Sequence, residues 1–508
     1  MGRTVIPRLG TIKGLDGSPF LLPVDSEHKA TVFQPWRFKG AHMVAFHISW
    51  ISFFTSFVST FAPAALIPII REDLDLNGQD LGQAGIAAIV GTIISRIGMG
   101  VLCDNFGPRM GHATVMLGTA PAVFLTGLTT GRTGFIACRL VVGFSLGAFV
   151  ACQFWSSVMF NVNIVGVANA TGSGWGNLGG GVTQFLMPVI FTGISQFQPD
   201  FVAWRLAFIL PGVMHIVVGV LVLVAGQDLP DGNFCDLQRV GELNRPQSAK
   251  TVVVAMKNYR TWLLFVAYGC CFGVELTMEN IIVGYMFDHF NLSLNTAGAL
   301  GATFGLVNIF ARSLGGVLSD RSSQSFGFRG RLWTLWMLET LEGLLCIVLG
   351  LVHDSLAVTV LMMIIFSIAV QAAEGATYAI VPFVSKRALG VVSGLVSVGG
   401  SVGSLVTMSI YFRNDSQDIH KGIHQMGFLI IAVGLLVMFI YFPMWGSMFR
   451  GPKPGITEED YYYSEYTWEE IAAGQAKPSV RFTDECKAQR GTHVTHVTAS
   501  SEIQLTLR

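Results

Sequence analysis

Charge is what this sequence has least of. Only 13% of its residues are Asp, Glu, Lys or Arg, against about 25% in soluble proteins, and its 32 basic residues are balanced by 32 acidic ones. That balance excludes a strongly basic nucleic-acid binder and gives no sign of an acidic partner. Cysteines number eight, but most, including Cys152, Cys270, Cys271 and Cys346, lie in apolar runs without C-x2-C spacing. They read as small packing residues rather than a disulfide framework or a zinc site. No nucleophile–base motif and no metal-ligand spacing stands out, so neither an enzyme nor a bound cofactor is expected. The amino-terminal stretch is polar, with Arg3, Arg8, Lys13, Lys29, Arg37 and Lys39. It lacks the short apolar core of a cleaved signal peptide, so the first span itself is expected to direct insertion.

What the sequence does have is apolar length. Hydrophobic residues make up 51% of the chain, in runs of roughly 20 that suffice to cross a ~30 Å hydrocarbon core as helices. The 58 glycines suit close helix packing in a membrane. Twelve spans are predicted, near 43–70, 83–102, 112–130, 134–160, 164–193, 203–225, 260–285, 296–319, 332–352, 356–380, 388–412 and 424–446. The expected fold class is therefore an all-α membrane protein of two six-helix bundles. A polar amino-terminal tail (1–42) precedes the first bundle (43–225). A central loop (226–259) leads to the second bundle (260–446), and a polar tail (447–508) follows, expected to hold little structure alone. Arg321, Arg329, Arg331, Lys386 and Arg387 fall in loops on the side of the termini, while "REDLDLNGQD" falls opposite. The positive-inside rule then places both termini in the cytosol. The triplets opened by Asn291 and Asn414 would be external acceptor sites.

A permanent cation inside an apolar run needs a reason. "SRIGMGVLCDNFGPR" contains Arg96, and "ARSLGGVLSD" repeats its skeleton, so that Arg96, Gly100 and Asp104 correspond to Arg312, Gly316 and Asp320. "GNLGGGVT" at 176–183 has a counterpart in "GSVGSLVT" at 400–407. Two halves of common descent explain both pairs, and transporters built this way hold substrate between the halves near mid-membrane. Each arginine lies about 12 Å of helix rise from its aspartate, well into the core. Such depth costs at least ~2.5 kcal/mol on insertion scales, so both guanidiniums should face protein or water. A structural ion pair is one reading. The other is a site for a small planar oxyanion, which the fork of arginine suits; no acidic residue on the same helix lies within two turns of either. Asn177 can donate an amide hydrogen to such an anion, while the glycines around it serve helix contact equally well.

Longer stretches carry a resemblance. "PVDSEHKATVF", "SWISFFTSFVSTFA", "GWGNLGGGVTQ", "GQDLPDG", "NYRTW", "RGRLWTLW" and "VPFVSKRALG" are similar to the plant high-affinity nitrate transporters, in the nitrate/nitrite porter branch of the major facilitator superfamily. The resemblance runs from about residue 23 to 450. It implies twelve helices in two bundles that rock about a central site, with Arg96 and Arg312 as the arginines that hold nitrate. Asn177 matches the asparagine of the fifth-helix signature, and Tyr268 and Phe272 of "YGCCF" match pocket aromatics. Phe57 and Trp155 are further pocket candidates, although aromatic helix faces more often pack than bind. The chain departs from the pattern at Ser401, where the second signature usually has asparagine, and at Glu339, Glu342 and Glu374, where uncharged residues are expected. Glu374 is expected at the cavity; Glu339 and Glu342, on a peripheral helix, are expected to meet a partner.

Entry of a monoanion into an inside-negative cell is opposed by ~2.3 kcal/mol per 100 mV, so accumulation needs coupling, and the resemblance implies protons. Tyr268, Phe272 and Glu275 are spaced i, i+4, i+7 and share a helix face, which makes Glu275 the proton-carrier candidate and Glu374 the next; a glutamate satisfied by neighbouring helices is the alternative. Arg139, opening "RLVVGFSLG", resembles a fourth-helix motif of the superfamily; coupling and simple snorkelling are both open to it. The expected function is nitrate:proton symport by alternating access, at the plasma membrane or alternatively the vacuolar one. A nitrate/nitrite exchanger, which would need no membrane carboxylate, and a nitrate sensor are the competing readings. The partners implied are nitrate, protons, nitrite as a second anion, membrane lipid, and a single-span accessory protein of the nitrate-assimilation-related kind. Ser479, between Lys477 and Arg481, is a candidate phosphorylation site for altering that docking.

Overall fold

The computed structural model describes residues 20–25, 27–239, 248–292, 294–412 and 419–472. Asn414, Ser293 of the triplet opened by Asn291, and Ser479 with its basic neighbours lie outside the described residues.

Among the described residues, twelve long helices form the body: α1 (Ala41–Ala65), α2 (Gly78–Phe106), α3 (Pro108–Thr126), α4 (Arg132–Met159), α5 (Val165–Ser195) and α6 (Asp200–Ala225) in one half. The other half holds α7 (Tyr259–Phe290), α8 (Leu294–Leu306, resuming as Ala311–Phe326), α9 (Phe328–Leu351), α10 (Leu356–Tyr378), α11 (Leu389–Tyr411) and α12 (Ile419–Phe439). Among the described residues, eleven stretches are long and apolar enough to cross a membrane. The exception is α3, a 19-residue helix that carries Arg109 and His112 and packs against α4 and α6. Helix starts follow local chemistry. Asn77 and Asp80 form a reciprocal capping box at α2, and the Asn258 side chain accepts from the Arg260 amide at α7, satisfying donors left free by a helix N-terminus. The α2–α3 and α8–α9 corners are single glycines, Gly107 at φ 85 and Gly327 at φ 68, a region that costs a residue bearing Cβ.

Between the halves α2 lies on α11 and α5 on α8. These contacts require the glycines of the repeated motif. A Cβ on Gly100 would meet the Gly390 carbonyl oxygen at 2.5 Å, and one on Gly316 would meet the backbone of Gly166 and the Ala170 methyl group. Two helices are broken close to mid-length. A 3-10 turn at Phe144–Gly147 interrupts α4, and another at Val307–Ile309 precedes Arg312 on α8. The carbonyls freed at the second break find side-chain donors, Trp175 Nε1 to Ile309 at 3.2 Å and Gln371 Nε2 to Phe304 at 2.8 Å.

Part of the polar carboxy-terminal segment, expected to hold little structure alone, is ordered by contacts with the body. Residues 458–463 and 468–472 are helical and dock on the loops of the second half. Tyr462 is buried and donates to the Phe383 carbonyl at 3.1 Å, and Tyr461 donates to that of Val384 at 2.8 Å. Glu470 accepts from both terminal nitrogens of Arg387, at 3.0 and 3.1 Å, and from Lys250 at 3.0 Å.

Candidate functional site

The helix breaks and the packing of α7 on α11 bring four aromatic rings together at the interface of the halves. Phe272 stacks on Phe149 of α4 with ring centres 6.3 Å apart and planes within 8°, and on Tyr268 at 5.3 Å. Tyr378 of α10 meets Tyr268 and Phe149 edge-on, each at 5.0 Å. Both arginines reach this box. The Arg96 guanidinium lies 5.4 Å from the Phe149 ring centre and 5.3 Å from that of Phe272, while that of Arg312 lies 5.7 Å from Phe272. Phe272 is therefore shared by two cations, an attraction worth roughly 0.5–2 kcal/mol for each. Each arginine is only 1% exposed.

Their electrostatics differ, which the sequence repeat does not reveal. Arg312 is ion-paired with Glu374 of α10 and lies 3.5 Å from Glu275 Oε2 of α7. Asn177, with its amide oxygen turned toward Arg312, accepts from both terminal nitrogens at 2.9 and 3.3 Å. In that orientation its oxygen serves the arginine, and its NH2 group remains the donor expected for an anion. Asn308, in the turn that breaks α8, donates to Glu275 Oε1. Arg96 has no such carboxylate within ion-pair reach among the described residues. It donates to the Ser397 carbonyl at 2.6 Å and the Ser401 hydroxyl at 3.1 Å, and its Nε finds no hydrogen-bond partner among the described residues. Ser401 thus stands beside Arg96 as a direct contact. A buried cation with only neutral partners is costly to keep and gains most from an anion.

The other sequence candidates fall elsewhere. Phe57 stacks on Phe61 at 5.4 Å and meets Phe53 edge-on at 5.0 Å, one ring removed from Phe149. Trp155 donates its indole hydrogen to the Gln227 carbonyl at 2.8 Å and lies against His112, outside the box. Arg139 donates to the Thr60 carbonyl on α1 at 2.5 Å, among neither the rings nor the carboxylates. Glu339 and Glu342 do not face lipid or a partner surface: both are 0% exposed. Glu339 accepts from the Cys271 thiol at 3.5 Å on α7, and neither oxygen of Glu342 finds a hydrogen bond among the described residues. The cost of a carboxylate against hydrocarbon is avoided by turning both inward. Phe149, Tyr378 and Asn308 were missed by the sequence reading, as was Glu279, which lines a cleft on the side opposite the termini.

The aspartates of the repeat close the opposite end. Asp104 accepts from the Gly390 and Val391 amides at the start of α11, at 2.9 and 3.1 Å. Asp320 accepts from those of Gly166 and Val167 at the start of α5, at 3.2 and 2.7 Å, and from Arg331 at 2.6 Å. Each carboxylate caps a helix of the other half, where free amides and the helix dipole favour negative charge. One motif thus supplies a site cation, a glycine contact and a cross-half cap, twice.

Residues 49–408 match the model of the Major Facilitator Superfamily. The chain is 48% identical to Nitrate transporter 2.1 of Chlamydomonas reinhardtii, over 98% of this chain and 93% of that protein. It is 47% identical to High affinity nitrate transporter 2.5 of Arabidopsis thaliana, over 94% and 95% respectively. This chain belongs to the high-affinity nitrate transporter family. That family lies within the major facilitator superfamily and is one of transporters, not enzymes, so the chain is a multi-pass membrane protein. Its fold is similar to that of the E. coli fucose:proton symporter FucP, with a TM-score of 0.61 and 14% identity over 78% of this chain and 99% of that one.

Proposed function

We propose that this member of the nitrate transporter family is a proton-coupled nitrate uptake transporter that works by alternating access. The observation that carries the reading is Arg96: a buried guanidinium at the interface of the halves, with no carboxylate within ion-pair reach among the described residues, beside a hydroxyl and two aromatic faces. Nitrate is a planar monoanion that matches the guanidinium fork, and the relatives named above as nitrate transporters cover nearly the whole chain.

Coupling follows from the second arginine. Two carboxylates, Glu275 and Glu374, compete for Arg312. With both ionised, its charge is spent on them. Protonating one releases positive charge toward the box, so proton binding and nitrate binding favour one another. Reciprocal coupling of this kind is a thermodynamic necessity once one ligand changes the affinity for the other. Arg96, Arg312, Ser401, Tyr268 and Phe272 form the nitrate site in this reading; Phe57 supports its packing, and Trp155 and Arg139 stand outside it. The membrane is the plasma membrane, with both termini cytosolic, consistent with the basic loops on the terminal side. The single-span accessory protein remains part of the proposal through family resemblance alone, since the inward-turned Glu339 and Glu342 lend it no support.

Nitrate-evoked current in oocytes, with and without the accessory protein, tests the reading. An inward current that grows as external pH falls is expected. A current that is outward, or indifferent to pH, would overturn proton symport and favour anion exchange.

A further inference from the structure

We infer that Glu279 is the residue at which protons enter, taking them from water in the cleft opposite the termini and passing them to Glu275. The inference rests on the proton-coupled reading above and supplies the entry point that reading lacks. Glu275 is only 1% exposed, enclosed by Asn308 and Arg312, so it has no direct access to either solution. Glu279 stands one helical turn further along α7. An i, i+4 pair has Cβ atoms about 5–6 Å apart on one helix face, within the swing of two glutamate side chains. Glu279 is half-buried and lines a cleft with Phe61 of α1, Gln184 of α5 and Gly301 and Gly305 of α8. Gly305 leaves it room, because a Cβ there would sit 3.2 Å from Glu279 Oε1.

The charged groups around Glu279 give the relay a direction. Glu275 faces it along α7 and Arg312 from α8. On α10, Glu374 is held by Arg312. The α1 and α5 neighbours, Phe61 and Gln184, are neutral, and α11 presents the hydroxyls of Ser404 and Thr407 to Thr277. Behind α7, Glu339 and Glu342 lie on the Cys271 face. The steps are balanced proton transfers. Hydronium in the cleft protonates the Glu279 carboxylate and leaves as water. The O–H bond at Glu279 then breaks as one forms at Glu275, and Glu279 returns to its charged form. Neutral Glu275 no longer offsets Arg312, whose charge becomes available to nitrate.

The test uses the full chain at the oocyte surface, with the amount there measured by surface labelling. In Glu279→Gln, proton-driven nitrate uptake should fall by roughly tenfold or more, on the scale of a positioned proton-transfer group. Exchange of labelled nitrate at equal pH on both sides should keep its wild-type rate. Glu279→Asp, with its carboxylate on a shorter stem, should recover much of the pH response. A Glu279→Gln current–pH curve that matches wild type overturns the inference, and so does equal loss of uptake and exchange in both variants. Should the Gln variant not reach the surface, Glu279→Asn decides in its place: selective loss of proton-driven uptake supports the relay, while no change or equal loss of both activities overturns it. A wild type whose current ignores pH overturns the proton-coupled reading and this one together; a pH-sensitive wild type beside an unchanged variant overturns this one only.

Discussion

At the scale of single residues, the two arginines share a motif but not an electrostatic environment. Arg312 has acidic partners, whereas among the described residues Arg96 has a carbonyl, a hydroxyl and ring faces. Arg96→Ala should therefore remove nitrate binding more completely than its cost in stability suggests. A charge-assisted hydrogen bond contributes about 1.5–3 kcal/mol, so affinity should drop by roughly 10- to 100-fold for one lost contact. Arg96→Lys should rescue poorly, because an ammonium lacks the planar fork. Titration of purified protein with nitrate checks this; wild-type affinity in Arg96→Ala would move the site elsewhere. Glu342 makes the opposite case. A buried carboxyl group for which neither oxygen finds a hydrogen bond of good geometry among the described residues contributes little to the fold. Glu342→Gln should leave the unfolding temperature of purified protein unchanged or a few degrees higher, and a clear fall would reveal a partner for it.

At the scale of elements, the helices were legible because all but α3 are apolar runs long enough to span a bilayer, bounded by caps and glycines. The site was legible only in part. Arg96 and Arg312 stand out because charge is rare in such runs and because the motif repeats. Phe149 and Tyr378 carry no such mark: among 37 phenylalanines and 10 tyrosines, nothing local separates a ring at the site from one that packs. The asymmetry between the arginines was hidden because Glu374 reaches Arg312 from a different helix. The docked tail was hidden for a related reason: its order comes from a few long-range contacts, Tyr461, Tyr462 and Glu470 among them, and not from periodicity. That docking should respond to pH. Burial pushes the Glu465 carboxyl up to about 7, from about 4.3 in an unstructured chain. A raised carboxyl pKa means the docked tail binds more protons than the released one between those values. Its contribution is full below about 4.3 and is lost as pH rises through about 7. Glu470, held down to about 2 first by its hydrogen bonds from Arg387, stays ionised throughout this window. Hydrogen exchange in residues 458–472 should thus be faster at pH 7.5 than at 5.5, beyond the intrinsic pH effect measured on the isolated peptide. Equal protection at both would exclude Glu465 as the cause.

At the scale of the whole molecule, the repeated motif links the proposed nitrate site to the packing of the halves. Arg96 and Arg312 sit at the centre, and Asp104 and Asp320, about 12 Å further along the same helices, hold the terminal side shut by capping helices of the opposite half. The cleft lined by Glu279 lies at the other end, so this is a state closed toward the termini. Opening that side must break both caps and separate glycine contacts that tolerate no side chain. The two latches are not equal. Asp320 is also held by Arg331, which donates to the Val162 carbonyl of the first half at 2.7 Å, whereas Asp104 accepts from backbone amides alone among the described residues. Replacing either by Asn retains its size but removes the charge that favours a helix N-terminus, an effect of about 0.3–2 kcal/mol. Asp104→Asn should therefore shift the equilibrium toward the state open to the termini by up to roughly 30-fold. Asp320→Asn should shift it further, because it also leaves the buried Arg331 without its carboxylate. A single cysteine placed on the terminal-side face of the interface, in a background lacking the native accessible thiols, reports the shift through its labelling rate. Faster labelling in both variants, larger for Asp320→Asn, is expected. Unchanged labelling in both would show that the glycine contacts, not the carboxylate caps, hold this side closed.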